Sequence, residues 1–250
     1  MPWSNQKAKP DDPVEKTVET VDKYSASQGP GDRTHGGRVV GIFAKEPIPG
    51  QVKTRLSPPF SSEQAALLYK VAQGETVRRL QGDKWDLVVF YVGRKEYFTE
   101  HFPGLRLVAQ ASGGLGRRMS RALDLLLGYG YREAVLVGTD SPDMPLELIE
   151  AAFLSLRQND AVTVPADDGG YVLIGCCRGC EELFLDVPWS SSGVLAATRS
   201  NAHRFGISLA EVGTWSDFDD LSGVRSLMDR SPATATAQMA AELLVENGWE

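Results

Sequence analysis

From Val39 onward, short runs of continuously apolar residues alternate with longer segments whose apolar residues recur at helical spacing. Apolar runs without polar alternation are typical of strands that are covered on both faces of a sheet. Strands are predicted at Val39–Ala44, Leu87–Val92, Leu105–Ala109, Ala134–Gly138, Ala161–Pro165, Tyr171–Cys176 and Ile207–Val212. Strands that alternate with helices indicate a single α/β domain with a mainly parallel sheet. The stretch "DGGYVLIG" follows "AVTVPA" directly and predicts one small antiparallel insertion.

The predicted helices have recognisable beginnings or apolar stripes. Ser61 precedes one helix, with Gln64 at capping-box spacing. Pro145 is placed to start another, because proline is favoured in the first turn of a helix. Further helices are predicted around Met119–Leu127 and at Gly193–Ala202. An amphipathic helix near Ala237–Glu246 packs either on the core or on a partner, such as a second copy of the chain.

The chain divides by composition into three parts. Residues 1–36 are polar, rich in Pro, Gly, Lys and Asp, and poor in large apolar side chains. Such a segment buries too little surface to offset its ordering entropy, so we expect a disordered tail. Residues 37–230 are expected to form the α/β domain and residues 231–250 a helical extension.

Charge and cysteine content exclude several classes of protein. The net charge of −7 argues against a general nucleic-acid binder, which would carry a basic face. No apolar run approaches the ~20 residues that span a bilayer, so no membrane partner is expected, and no secretory signal is recognised at the N-terminus. Cys177 and Cys180 form one C-x-x-C, but a structural zinc site needs a second ligand pair. Reduced cysteines and a cytoplasmic location are therefore favoured over metal or redox chemistry.

The first predicted strand runs into a basic loop, "KEPIPGQVKTRLSP". Lys45 ends the strand, and Gly50 allows the chain to turn. If the next segment is extended, Lys53 and Arg55 point the same way, because side chains alternate along an extended chain. Two converging cations predict a cradle for a diphosphate or triphosphate. The alternative is a solvated basic loop.

A glycine-rich loop, "QASGGLGRRM", follows the third predicted strand. Gly113 and Gly116 allow backbone amides to approach a ligand closely. Arg117 and Arg118, at the predicted start of the next helix, are unfavourable for the helix dipole unless an anion lies nearby. These residues are candidates for nucleotide binding, and the alternative is a flexible turn.

The strand "AVLVG" runs into "TDSPDMP", which places carboxylates just beyond the end of a strand. Ligands bind at this edge in open α/β sheets. Asp140 is therefore the candidate ligand of Mg²⁺ or Mn²⁺, a cation that bridges phosphate oxygens. Asp143 is either a second ligand or, like Ser141, a cap of the following helix.

Two later stretches are candidates for the acceptor side of a site. Asp168 and the Gly169–Gly170 backbone lie where a hairpin turn could present them to a substrate, with Tyr171 next to them. Trp189 and Ser190 could supply an apolar wall and a hydroxyl group. A plain turn and a core tryptophan are the alternatives.

The chain as a whole resembles a known bacterial family over about Arg38 to Leu227. The family comprises glycosyltransferases associated with arsenosugar biosynthesis and with radical-SAM/selenodomain proteins, in the nucleotide-diphospho-sugar transferase (GT-A-like) superfamily. The stretches that carry the resemblance are, in order, "FAKEPIPGQVKTRLSP", "GGLGRRM", "GTDSPDMP", "DDGGYVLIG", "VPWSS" and "WSDFDD". The resemblance implies a Rossmann-like GT-A domain.

The resemblance also implies roles for individual residues. Lys53 and Arg55 match the family's phosphate-binding positions, and Asp140 matches its metal aspartate. Asp217 and Asp219 match a late D-x-D motif, which implies further ligands for Mg²⁺ or Mn²⁺. The sequence departs from the family pattern at Gly114, Asp220 and Gly223, where the family has an acidic residue, threonine and aspartate.

Three functions follow from this reading. The leading hypothesis is a metal-dependent glycosyltransferase that uses a nucleotide-diphosphate sugar and a small-molecule acceptor, with Asp140 and Asp168 in catalysis. The second is a nucleotidyltransferase that joins a nucleoside triphosphate to a phosphorylated small molecule and releases pyrophosphate. The third is a binding protein for nucleotide sugars without turnover.

Overall fold

The structure, a computed structural model, describes residues 37–249. The predicted tail lies outside the described residues. Seven strands and seven α-helices follow one another along the described chain: β1 (Arg38–Lys45), α1 (Ser62–Leu80), β2 (Asp86–Val92), α2 (Lys95–His101), β3 (Arg106–Ala109), α3 (Leu115–Gly128), β4 (Glu133–Val137), α4 (Leu146–Ser155), β5 (Ala161–Pro165), β6 (Tyr171–Cys176), α5 (Val194–Phe205), β7 (Leu209–Glu211), α6 (Leu221–Arg230) and α7 (Ala235–Glu246).

The strands form one mixed sheet in the order β3-β2-β1-β4-β6-β5-β7. β1 lies between β2 and β4 and pairs in parallel with both, so that Ile42 is in register with Val89 on one side and Val137 on the other. β6 is antiparallel to both β4 and β5. The predicted α/β fold with a mainly parallel sheet and one antiparallel insertion is confirmed.

Helices cover both faces of the sheet, which explains the continuously apolar strands. On one face Val40 and Ile42 pack with apolar residues of α1, α2 and α4, and on the other Val39 packs with residues of α3 and α5. Alternate side chains of a strand point to opposite faces, so a strand between two helix layers must be apolar at every position. α2 has only seven residues and was not predicted.

The capping box and the proline in the sequence marked the observed starts of α1 and α4. The Ser61 hydroxyl accepts a hydrogen bond from the Gln64 amide at 3.2 Å, and the Gln64 side chain accepts one from the Ser61 amide at 2.9 Å. α4 begins directly after Pro145. No helix within residues 37–249 is both long and apolar enough to cross a membrane.

The C-terminal helix packs on the core, as one of the two alternatives predicted. Ala240 and Leu243 of α7 lie in a cluster with Leu68 of α1 and Val224 of α6. The Glu75 side chain of α1 accepts hydrogen bonds from the first amides of α7. This layer also holds Phe218, which lies next to the candidate site.

Candidate active site

The candidate site lies at the carboxyl edge of β1 and β4. Thr54–Leu56 form a single 3-10 turn, and Lys53 before it adopts a left-handed backbone with φ 48° and ψ 38°. The segment is therefore not extended, and Lys53 and Arg55 do not share one direction: the Lys53 side chain is 3% exposed, whereas Arg55 is exposed. Lys53 Nζ lies 2.6 Å from Asp140 Oδ1 and 2.7 Å from Asp219 Oδ1.

The surroundings of Lys53 fix its ammonium group. Nζ lies 3.9 Å from the centre of the Phe218 ring and 3.4 Å from the Phe218 carbonyl oxygen. The Phe218 amide in turn donates to the Asp140 carbonyl at 3.0 Å. Burial alone would lower the pKa of Lys53, but Asp140 and Asp219 outweigh burial and raise it. Lys53 therefore stays charged at neutral pH.

The carboxylates around Lys53 carry more negative charge than its ammonium group can neutralise. Burial, followed by repulsion from Asp219, raises the pKa of Asp217 to about 6, and the charges of Asp140 and Asp168 add to the effect. Three carboxylates and one ammonium leave a formal charge of −2 when Asp217 is ionised. One divalent cation would neutralise this excess.

The residues fit such a cation only in part. Asp140 and Asp219 are half-exposed and each gives one oxygen to Lys53, while within residues 37–249 neither Oδ2 atom has a hydrogen bond or ion pair. The same residues contain no group of three or more His, Cys, Asp or Glu arranged to hold an ion. Asp140, Asp217 and Asp219 have the hard oxygen atoms that Mg²⁺ and Mn²⁺ prefer, but they do not form a complete ligand set, so further ligands must come from a bound molecule.

Asp143 is neither a metal ligand nor a helix cap. Its side chain is 1% exposed and lies 2.6 Å from Arg230 Nε of α6. The Ser231 hydroxyl donates to it at 2.8 Å and the Trp215 indole at 3.3 Å. Both alternatives that the sequence left for Asp143 are therefore wrong, since it joins the start of α4 to the end of α6.

A cavity of about 510 Å³ opens beside this cluster, between the sheet and α3. The candidate residues that line it are Lys45, Lys53, Arg55, Asp140, Tyr171, Ser190 and Asp219. The candidate residues outside its lining are Gly50, Gly113, Gly116, Arg117, Asp168, Gly169, Gly170, Trp189 and Asp217. The cavity thus joins the basic loop, the acidic cluster and one residue of the Trp189–Ser190 pair.

Buried polar side chains fix the end of β1 at the cavity. The Tyr69 hydroxyl accepts hydrogen bonds from the Lys45 amide at 3.0 Å and from the Thr139 hydroxyl at 2.9 Å. Burial raises the pKa of Tyr69 to about 12, so the phenol stays neutral. The Gln73 amide donates to the Lys45 carbonyl at 2.9 Å and accepts from the Tyr97 hydroxyl. No sequence motif pointed to this network, because its members come from four separate elements.

The glycine-rich loop places Arg118, not Arg117, at the cavity. Arg118 donates to the Gln110 side chain at 3.3 Å, and its buried Nε finds no hydrogen-bond partner within residues 37–249. Arg117 is exposed and lies outside the cavity lining. Gly116 is packed so closely on the Trp189 ring that an added Cβ would come within 2.7 Å of it. The helical spacing of α3 favours Arg118, since Leu115, Arg118 and Met119 share one face.

The structure packs Trp189 against the core and leaves it outside the cavity lining, which corresponds to the second of the two alternatives that the sequence left open. It packs at the edge of the core, with ring centres 6.4 Å from Phe184 and 6.5 Å from Tyr171. Ser190, the next residue, is exposed, has a positive φ of 64° and lines the cavity. Gly169 approaches the Ser192 carbonyl so closely that no side chain would fit there. The hairpin turn thus holds the 189–193 loop against the site.

The three cysteines lie away from the cavity lining. All are free thiols, and Cys176 and Cys180 are buried. The hydrogen bond with Cys180, followed by burial, raises the pKa of Cys176, so it stays a thiol at neutral pH. Nothing in the described part of the chain gives these cysteines a metal site.

The mixed seven-stranded sheet, with its cavity at the carboxyl edge, is the Rossmann-like fold of nucleotidyl- and glycosyltransferases. One solved structure is a Desulfovibrio desulfuricans G20 protein that is provisionally described as a nucleotide-diphospho-sugar transferase. It shares 30% sequence identity with this chain at a TM-score of 0.77, over 85% of this chain and 98% of its own. This chain belongs to the family of that protein, within the nucleotide-diphospho-sugar transferase superfamily.

The other comparisons add a family profile and a second structure with the same fold. Residues 76–191 match the profile of a family described as uncharacterized proteins conserved in bacteria (DUF2064). The homologue of Mycobacterium tuberculosis Rv0371c from Mycobacterium sp. strain JC1 is 17% identical, with a TM-score of 0.51 over 78% of this chain and 97% of its own, and shares the fold. A comparison with curated proteins gives no significant match. The link to arsenosugar-associated members stays a prediction.

Because the pKa of Asp217 is raised in the fold, we expect that replacing Asp217 stabilises the protein in a pH-dependent way. An Asp pKa near 6 in the folded state, against 3.8 in the unfolded chain, means that stability falls as pH rises from about 4 to 6. Without divalent cations, Asp217→Asn should therefore stabilise the fold above pH 6 and change little near pH 4. The full shift corresponds to about 3 kcal/mol, which partial solvent exposure reduces to about 1–2 kcal/mol.

Urea unfolding at pH 4 and pH 7.5 measures this effect. The matched control is Asp220→Asn, which removes the same charge from a helix cap that asparagine can also form. If Asp217→Asn and the wild type have equal free energies of unfolding at both pH values, the pKa of Asp217 is not raised.

Proposed function

We propose that the protein is a metal-assisted transferase that takes a nucleotide substrate, and that it transfers a sugar from a nucleotide-diphosphate sugar to a small-molecule acceptor. The observation that carries this proposal is the cavity, which joins exposed cations to a cluster with excess negative charge at the carboxyl edge of parallel strands. The cations suit phosphates, and the carboxylates suit the cation that phosphates bring. The 30% identical relative with its provisional description supports the same class.

Within residues 37–249, three cations line the cavity without an ion pair: Lys45, Arg55 and Arg118. Lys53 is already paired with two carboxylates, so we assign phosphate contacts to the other three. A bound Mg²⁺ or Mn²⁺ would neutralise charge on the departing diphosphate. Asp140 and Asp219 would hold it through their free oxygens, with Asp217 beside them.

In glycosyl transfer the bond between the anomeric carbon and the diphosphate oxygen breaks, and a bond from that carbon to the acceptor oxygen forms. The acceptor gives up its proton, and the nucleoside diphosphate leaves with the electron pair of the broken bond. Asp168 is the candidate proton acceptor. It is exposed at the tip of the β5–β6 hairpin, and its negative charge contributes to the raised pKa of Asp217. We place the acceptor beside Ser190 and Tyr171, against the 189–193 loop.

A nucleotidyltransferase is the second candidate, because the three cations that have no ion pair in the described part of the chain suit a triphosphate as well as a diphosphate. Product analysis separates the two. Incubation with nucleotide sugars, nucleoside triphosphates and acceptor mixtures with Mn²⁺ should release a nucleoside diphosphate if the first proposal holds, and pyrophosphate if the second does. A protein that binds nucleotide sugars yet releases neither product would be a binding protein.

Arg118 and Arg117 give a matched pair of variants for the nucleotide cavity. Arg118→Met should weaken the binding of a nucleoside diphosphate with Mn²⁺ by about 10- to 100-fold, because one charge-assisted hydrogen bond is worth about 1.5–3 kcal/mol. Arg117→Met, which removes the same charge from an exposed position outside the cavity, should change the affinity less than about threefold. Calorimetric titration measures both, and equal losses would refute a direct contact through Arg118.

A further inference from the structure

Lys53 is unusual for a phosphate-binding residue, because its ammonium group already forms ion pairs with two carboxylates. Its side chain is 3% exposed, and its ammonium lies 2.6 Å and 2.7 Å from the carboxylates of Asp140 and Asp219. A phosphate would have to compete with both carboxylates for a buried group. Arg55 in the same loop is exposed and free of ion pairs within residues 37–249.

The position of Lys53 also bears on how a divalent cation would bind. Asp140 and Asp219 come from loops about 80 residues apart in sequence, and Lys53 Nζ bridges them through one oxygen of each. The Phe218 ring and carbonyl hold the ammonium from a further side. A positive charge fixed between two carboxylates keeps them together and repels a second cation.

We propose that Lys53 is a built-in counter-ion, which holds Asp140 and Asp219 together and keeps the affinity for free divalent cations low. The cluster still has excess negative charge from Asp217, so it accepts a divalent cation when a ligand supplies additional oxygens. The counter-ion role follows from the geometry alone. Its consequence, that cation and nucleotide bind cooperatively, rests on the proposed function.

Titration of Mn²⁺ without nucleotide tests the counter-ion role directly. Lys53→Met removes the ammonium and keeps most of the apolar stem, so the two carboxylates lose their internal cation. The affinity for Mn²⁺, followed by the EPR signal of the free ion, should rise by about 10- to 100-fold. Lys53→Arg, which keeps the charge, should stay as weak as the wild type.

Arg55→Met is the matched control, because it removes one cation from the same loop without touching either carboxylate. Its Mn²⁺ affinity should change less than about threefold. If Lys53→Met binds Mn²⁺ no more tightly than the wild type, or if Arg55→Met gains as much, the counter-ion role is overturned. Thermal unfolding verifies that each variant is folded, and Lys53→Gln replaces Lys53→Met if the latter is not.

A second measurement compares the Mn²⁺ affinity of the wild-type protein with and without a nucleotide. A nucleoside diphosphate should raise the Mn²⁺ affinity of the wild type by at least about tenfold, and that of Lys53→Met by much less. Equal Mn²⁺ affinity of the wild type with and without a bound nucleotide would overturn the inference. If no nucleotide binds at all, the proposed function fails, while the Mn²⁺ titration of the variants still decides the role of Lys53.

Discussion

Asp140→Asn is expected to lower the Mn²⁺-dependent affinity for a nucleoside diphosphate by about 100-fold or more. A hard divalent cation needs anionic oxygens, and asparagine keeps the shape of the side chain but removes the charge. Asp140 pairs with Lys53 through Oδ1 and lines the cavity, and within residues 37–249 its Oδ2 has no hydrogen bond or ion pair. Binding without metal should change little or improve, because a carboxylate that repels phosphate is gone. Calorimetric titration with and without Mn²⁺ separates the two effects.

The control for this variant is Asp229→Asn, which removes the same charge from an exposed position on α6 outside the cavity lining. Its nucleotide affinity should match that of the wild type with and without Mn²⁺. If Mn²⁺ strengthens nucleotide binding equally in Asp140→Asn and in the wild type, Asp140 is not a metal ligand. The proposal of metal assistance would then lose its main residue.

Arg230→Met is expected to cost about 3–5 kcal/mol of unfolding free energy. Asp143 is 1% exposed, and Arg230 is its charged partner at 2.6 Å. Removal of one member of a buried ion pair leaves the other charge buried without compensation. For a domain of this size, the loss corresponds to a melting temperature lower by about 6–20 °C.

Two comparisons make this test specific. Lys84→Met breaks an exposed pair with Glu150 and should cost less than about 1 kcal/mol. The double variant Asp143→Leu/Arg230→Met should recover part of the loss, because no buried charge remains. Urea unfolding gives all three free energies, and a loss below about 1 kcal/mol for Arg230→Met would show that the pair does not stabilise the fold.

The sequence by itself determined the sheet and most of the helices. β5 and β6 were predicted at their observed bounds, and the Ser61–Gln64 pair marked the start of α1. These features depend on neighbouring residues, since apolar runs, helical stripes and caps act over a few positions. α2 was missed because seven residues carry too short a pattern to distinguish a helix from a loop.

Only the tertiary structure decided which charged side chains pair with one another at the site. Lys53 meets Asp219 across 166 positions of the chain, and Asp143 meets Arg230 across 87. A motif shows that a lysine or an aspartate is present, but its role depends on which opposite charge the fold brings to it and on how much water the fold removes. From the sequence, Lys53 was predicted to bind phosphate, whereas in the fold it is a buried partner of two carboxylates. Asp143 was predicted to be a metal ligand or a helix cap, whereas in the fold it forms a buried ion pair with Arg230.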